Sequence, residues 1–111
     1  ILSEMADKYI RTAFHHKLNT AAIAEALNCN ADYLGRIYHR AFGITLTEAI
    51  NNCRINQACK LLLDSTKNID EIARESGYDD PCYFRRVFKK NKGINPLKYR
   101  SLYSMLHLIT E

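Results

Sequence analysis

Two stretches of this chain spell the same pattern. IAEALNCNADYLGRIYHRAFGI, residues 23–44, aligns with IARESGYDDPCYFRRVFKKNKGI, residues 72–94, once one extra residue is allowed in the second turn. Ile23, Ala24, Tyr33, Leu34, Arg36, Ile37, Tyr38, Arg40, Gly43 and Ile44 meet Ile72, Ala73, Tyr83, Phe84, Arg86, Val87, Phe88, Lys90, Gly93 and Ile94. The apolar stripe and the basic positions both persist at a period of about fifty residues. Each copy reads as a short helix, a tight turn and a longer helix, which is a helix-turn-helix. A duplicated unit of this kind confines the fold to the all-α class.

The flanking sequence agrees, because apolar residues recur at helical spacing and nowhere alternate convincingly with a period of two. Leu2, Met5, Ala6, Tyr9, Ile10, Ala13 and Phe14 mark one face of a first helix ending near His16. Asn19 or Thr20 caps a short helix that holds Ala22, Ile23, Ala26 and Leu27. Asn30 caps the next, with an inward stripe of Leu34, Ile37, Tyr38 and Ala41 and a stop at Gly43. Thr45 to Glu48 is a capping box, in which the Thr hydroxyl and the Glu carboxylate each take a free backbone N–H. It opens a long helix with Leu46, Ala49, Ile50, Cys53, Gln57, Ala58, Leu61 and Leu62 inward, ending near Asp64. Such a helix is about 27 Å long. Asn68 begins the second copy, and Asp80 with Pro81 sets the start of its long helix. Phe84, Val87 and Phe88 then point inward. Tyr33, Tyr38, Tyr83, Phe84 and Phe88, repeated at helical spacing, are expected in the core rather than on a stacking platform for single strands.

Charge narrows the function. The formal net charge is +4, but between Pro81 and Thr110 there are seven Lys or Arg and no Asp or Glu. That is an electrostatic footprint for a polyanion. The second helix of a helix-turn-helix lies in the major groove with its N-terminal half toward base edges. Arg36, Arg85 and Arg86 are therefore candidate base readers, since a guanidinium fork can donate two hydrogen bonds to guanine. Ala31 suits a thymine methyl, and Asp32 either accepts from cytosine or repels phosphate. His39, Arg40, Lys89, Lys90 and Lys92 lie further along and suit phosphate, with Thr20 and Lys98 completing that set. A protein-interaction module that sets the same basic face against an acidic partner is the alternative.

Other classes find less support. The four cysteines and four histidines show no CxxC or HxxxH spacing, so no metal or cofactor is expected, and Cys53 and Cys59 read as small core residues. Asp79 and Asp80 beside Pro81 are turn and cap residues rather than a catalytic pair. No motif assembles a nucleophile, a base and an orienting group, so the chain is expected not to be an enzyme. No apolar run is long enough to span a membrane, and no signal peptide is evident. A cytoplasmic location is expected. The chain starts at Ile1 rather than Met, which suggests a piece of a longer protein with an effector or dimerisation domain upstream.

RINQACKLLLDSTKNIDEIARESGYDDPCYFRRVFKKNKGINPLKYR, residues 54–100, resembles the signature of the AraC/XylS-type transcription regulators, in their C-terminal DNA-binding domain. The Ala58 and Leu61-Leu62 spacing, Ile69, Ile72-Ala73, Gly77-Tyr78, Tyr83-Phe84, Phe88-Lys89, Gly93 and the Pro96 to Tyr99-Arg100 ending carry the resemblance. It implies about seven helices: a first helix-turn-helix subdomain over 1–45, a linker helix over 46–64 and a second subdomain over 65–111. It also implies sequence-specific binding of double-stranded DNA, with recognition helices near 31–42 and 81–91 in successive major grooves of an asymmetric site. The base-facing positions would be Ala31, Asp32, Gly35 and Arg36, then Pro81, Cys82, Arg85 and Arg86. RNA polymerase is the further partner implied. Gly35 departs from the pattern by removing a side chain from a reading position. The tail, residues 101–111, runs past the usual ending with Leu102, Met105, Leu106 and Ile109 on one side, and is expected to pack on the domain, with dimerisation or a disordered end as the alternatives.

Overall fold

The computed structural model describes residues 1–110, and the side chains of residues 1–106. Its helices are α1 (Leu2–Ala13), α2 (Thr20–Ala26), α3 (Ala31–Phe42), α4 (Leu46–Asp64), α5 (Ile69–Glu75), α6 (Pro81–Lys92) and α7 (Pro96–Thr110). No strand occurs among the described residues. The chain divides into two compact units, with the boundary inside α4 between Cys53 and Arg54. Each unit has its own core.

In the first unit Ala6, Ile10, Ile23, Ala24, Leu34, Tyr38, Leu46, Ala49 and Ile50 bury against one another. In the second, Ile55, Ala58 and Leu62 of α4 bury with Ile72, Ala73, Tyr78, Phe84 and Phe88. The turn inside each helix-turn-helix has the same hydrogen bonds at matched positions. Asn28 N–H donates to Glu25 O (3.1 Å) and Cys29 N–H to Ala24 O (2.9 Å), as Gly77 does to Arg74 O (3.1 Å) and Tyr78 to Ala73 O (2.9 Å). Asn28 (φ 54°) and Gly77 (φ 109°) both turn through the left-handed region, which Gly and Asn enter most readily.

Local capping explains where the helices begin. The side chains of Asn19, Asn30 and Asn68 accept from the N–H groups of Ala22, Tyr33 and Glu71. Asp80 accepts from Cys82 N–H at 2.9 Å. The Thr45–Glu48 box is reciprocal, with both bonds at 3.1 Å. At the far end of α4 the Arg100 guanidinium, delivered from α7, donates to Leu62 O (2.9 Å) and Ser65 O (3.2 Å). A cation bonded to the last carbonyls of a helix satisfies orphan acceptors and complements the helix dipole.

Several sequence expectations need correction. α1 stops at Ala13, where His16 N–H closes a tight turn onto Ala13 O, and does not reach His16. Met5, Ala26 and Ala41 are exposed. Ala24 is buried beside Ile23, although the expected face ran through Ala22, Ile23, Ala26 and Leu27. Ile55 lies off the stripe that begins at Leu46, yet it is fully buried. The second half of α4 packs with partners of its own, so one stripe cannot describe the whole helix. The tail continues α7, with Leu102, Met105 and Leu106 45%, 58% and 46% exposed. Tyr99 already closes the second core, edge-on to Phe88 at 5.4 Å, and Tyr103 stacks on its outer face at 4.4 Å. Ile109 lies outside the described side chains.

The repeats differ where Tyr38 matches Phe88. The Tyr38 hydroxyl donates to Asp7 Oδ1 (2.8 Å), and Arg11 Nε donates to Asp7 Oδ2 (2.9 Å). Burial pushes the Asp7 carboxyl up, but the hydrogen bonds from Arg11 and Tyr38 outweigh it and hold the group below its ordinary value. A carboxylate depressed by folding contributes stability in full above its unfolded pKa, about 4, and loses it as pH falls through the folded value. Asp7→Asn, which keeps an acceptor for Tyr38 but removes the charge, is therefore expected to cost about 1 kcal/mol near neutrality. Urea unfolding on either side of about pH 4 should show the gap from wild type narrowing in acid. A gap that stays constant would contradict this reading.

Candidate nucleic-acid interface

The long second helix of each copy presents its outward face as a matched pair of surfaces. In the first unit an open groove of about 870 Å³ is lined by Thr20, Ala31, Asp32, Gly35, Arg36, His39 and Arg40. These are all the first-copy residues expected to read bases or hold phosphate. Thr45, Leu46 and Thr47, from the start of α4, complete the lining and were missed from the sequence. The signal was the capping box itself, which fixes that helix start beside α3. Gly35 opens the middle of the groove, since a Cβ there would meet no atom within 4 Å.

In the second unit Cys82, Arg85, Arg86, Lys89, Lys90 and Lys92 are exposed along α6, Pro81 is half-buried at its start, and Lys98 is exposed on α7. Arg85 is engaged: its Nη2 donates to Asp70 Oδ1, in the first turn of α5, at 2.9 Å. An exposed pair of this kind is worth about 0–1 kcal/mol, so a phosphate or base edge can displace it. The first copy has no counterpart, because Ala21 and Gly35 stand where the second has Asp70 and Arg85.

Tyr33 and Tyr83 are 48% and 40% exposed, which overturns the expectation that they belong to the cores. Each precedes a fully buried residue, Leu34 or Phe84, and so sits about 100° around the helix from the inward stripe. The Arg36 guanidinium lies over the Tyr33 ring at 6.0 Å, and that of Arg86 over Tyr83 at 5.7 Å.

Cys29, Cys53 and Cys59 are half-buried and free, and Cys82 is exposed and free. Burial pushes the Cys53 thiol up. Burial and a hydrogen bond with Cys59 push Tyr99 up to about 12. No group of three or more His, Cys, Asp or Glu able to hold a metal occurs among the described residues. No helix among them is long and apolar enough to cross a membrane.

Residues 23–101 match the family model described as a helix-turn-helix domain, which takes in both copies and α4. The chain belongs to the AraC family of transcription regulators. Its structure superposes on the C-terminal domain of AraT, a response regulator from Geobacillus stearothermophilus, with a TM-score of 0.88 and 34% identity, over 91% of this chain and 84% of that one. The DNA-binding domain of AdpA, solved with a target DNA, shares the fold with a TM-score of 0.82 and 24% identity, over 92% of this chain and 91% of that one. Among curated relatives, the HTH-type transcriptional regulator YisR of Bacillus subtilis (strain 168) is 30% identical over 89% of this chain but 34% of its own length. This AraC-type chain spans about a third to a half of the length of the curated relatives it matches. It is a helix-turn-helix DNA-binding domain of the AraC family, with α3 and α6 as the second helices of its two motifs.

Proposed function

We propose that this domain binds an asymmetric double-stranded site with α3 and α6 in successive major grooves. Arg36 and Arg86 read bases, with Ala31, Asp32, Gly35, Pro81, Cys82 and Arg85 as the other base-facing positions. Thr20, His39, Arg40, Lys89, Lys90, Lys92 and Lys98 contact phosphate. The observation that carries this reading is the matched outward face of the two copies, which sets an Arg one turn into each long helix with cations further along. Arg85 joins the reading set only by leaving Asp70, at the small cost given above. The domain itself performs no catalysis. The rest of the regulator is read as an effector or dimerisation domain, RNA polymerase as the partner through which bound protein acts, and the cytoplasm as its compartment.

Selection of bound duplexes from a random pool tests the reading. The expected result is a non-palindromic consensus, with Arg36→Ala relaxing preference in one part of it and Arg86→Ala in another. Each good bidentate pair is worth about 1–3 kcal/mol of discrimination. A pool that shows no preference after selection, or a consensus unchanged by either substitution, would remove the base-reading assignment. Affinity that does not fall with added salt would remove the phosphate assignment as well.

A further inference from the structure

The tyrosines that leave the core do so at matched positions, and each lies under an arginine one turn further on. Tyr33 underlies Arg36 and Tyr83 underlies Arg86, at 6.0 Å and 5.7 Å from ring centroid to guanidinium carbon. Both separations are within the range of cation–π attraction. We infer that Tyr33 and Tyr83 are positioning residues that hold the reading arginines in place before DNA arrives. This rests on the reading of Arg36 and Arg86 given above.

The chemistry favours a ring for this task. A guanidinium has five N–H donors in a rigid fork, and two of them must face guanine for a bidentate contact. A carboxylate fixes an arginine by taking its donors, as Asp70 does with Arg85. A ring fixes it through its face and leaves the donors free. Restricting the long side chain in the free protein also removes part of the ordering cost that binding would otherwise carry. The two copies differ in how firmly the ring itself is held. Tyr83 meets the ring of Tyr78, a residue only 3% exposed, at 6.0 Å. The matched position in the first copy is Cys29, so Tyr33 lacks the counterpart of that ring. Positioning is therefore stronger in the second copy.

The experiment uses the whole chain and the duplex selected above. Tyr83→Leu should lower discrimination at the base pair read by Arg86 by about two- to five-fold, the size of an exposed cation–π contact. Tyr83→Phe, which keeps the ring face, should retain discrimination. In an Arg86→Ala background Tyr83→Leu should have no further effect. Tyr33 and Arg36 should behave alike, with the smaller change. In the free protein, ring-current shifts of the Arg86 side-chain protons should survive in Tyr83→Phe and vanish in Tyr83→Leu, a readout that needs no DNA. Equal losses in the Phe and Leu variants would assign the effect to the hydroxyl and overturn the inference. So would a Leu effect that persists without Arg86, or the absence of ring-current shifts in the wild type. If Arg86→Ala alone changes no base preference, the base-reading assignment falls and this inference falls with it.

Discussion

Replacing Lys89, Lys90 and Lys92 together with alanine is expected to lower affinity for any duplex by about two to three orders of magnitude near 0.1 M salt. Each phosphate neutralised on double-stranded DNA contributes about 0.9 to the slope of log affinity against log salt. Three lost contacts should therefore flatten that slope by about 2.7. All three lysines are exposed in the last turns of α6, where no acidic residue follows as far as Thr110. The substitutions remove cations from the C-terminal end of a helix, where they favour its dipole, but touch neither core. Thermal unfolding should change little while binding collapses. Filter binding or fluorescence anisotropy across a salt series separates the outcomes. A uniform loss with an unchanged consensus supports phosphate contact. An altered consensus would place one of the lysines on a base edge, and an unchanged slope would take α6 off the backbone.

Phe88→Ala is expected to cost about 3–5 kcal/mol. Phe88 is fully buried, with Phe84 at 5.8 Å and Tyr99 edge-on at 5.4 Å between ring centroids. Small domains have about 5–15 kcal/mol in total, and the core around Phe88 is that of one small unit. Truncating it should leave the second unit largely unfolded at physiological temperature, and specific binding should be lost with it. Denaturant unfolding followed by near-ultraviolet circular dichroism measures the effect. A variant that keeps the wild-type midpoint would mean that Phe88 is not central to that core. Phe88→Tyr provides a contrast. Tyr38, at the matched position, satisfies its hydroxyl on Asp7, whereas Phe88 packs within a cluster of apolar residues. A tyrosine there would bury a hydroxyl without that partner.

Features set by neighbours in sequence were legible in advance. Asn30, Asn68, Asp80 with Pro81, the Thr45–Glu48 box and the Gly43 stop involve residues within one turn of each other, and all are found where expected. The first-copy grouping follows from the same local spacing, since Ala31, Asp32, Gly35, Arg36, His39 and Arg40 recur at helical intervals and line one groove. Features set by distant partners were not. Asp70 reaches Arg85 across 15 positions, and Arg100 reaches Leu62 across 38. Spacing alone cannot reveal either pairing. Ile55 was missed because α4 exchanges one set of partners for another midway. Repetition at helical spacing does not distinguish a core face from an exposed one, which is why Tyr33 and Tyr83 lie outside the cores. Both lie off the inward stripe, where the aromatic face serves a cation better than a core.

Gly35 has a consequence for how this protein can change. It stands in the middle of α3, open on its outward side, with no neighbour within 4 Å of where a Cβ would be. Any side chain placed there should leave the packing intact, and most should strengthen the helix by up to about 1 kcal/mol relative to glycine. If α3 reads bases as proposed, the position is a vacant letter in an otherwise fixed word. An altered operator could be matched there by one substitution, while the reader fifty residues later keeps its own text.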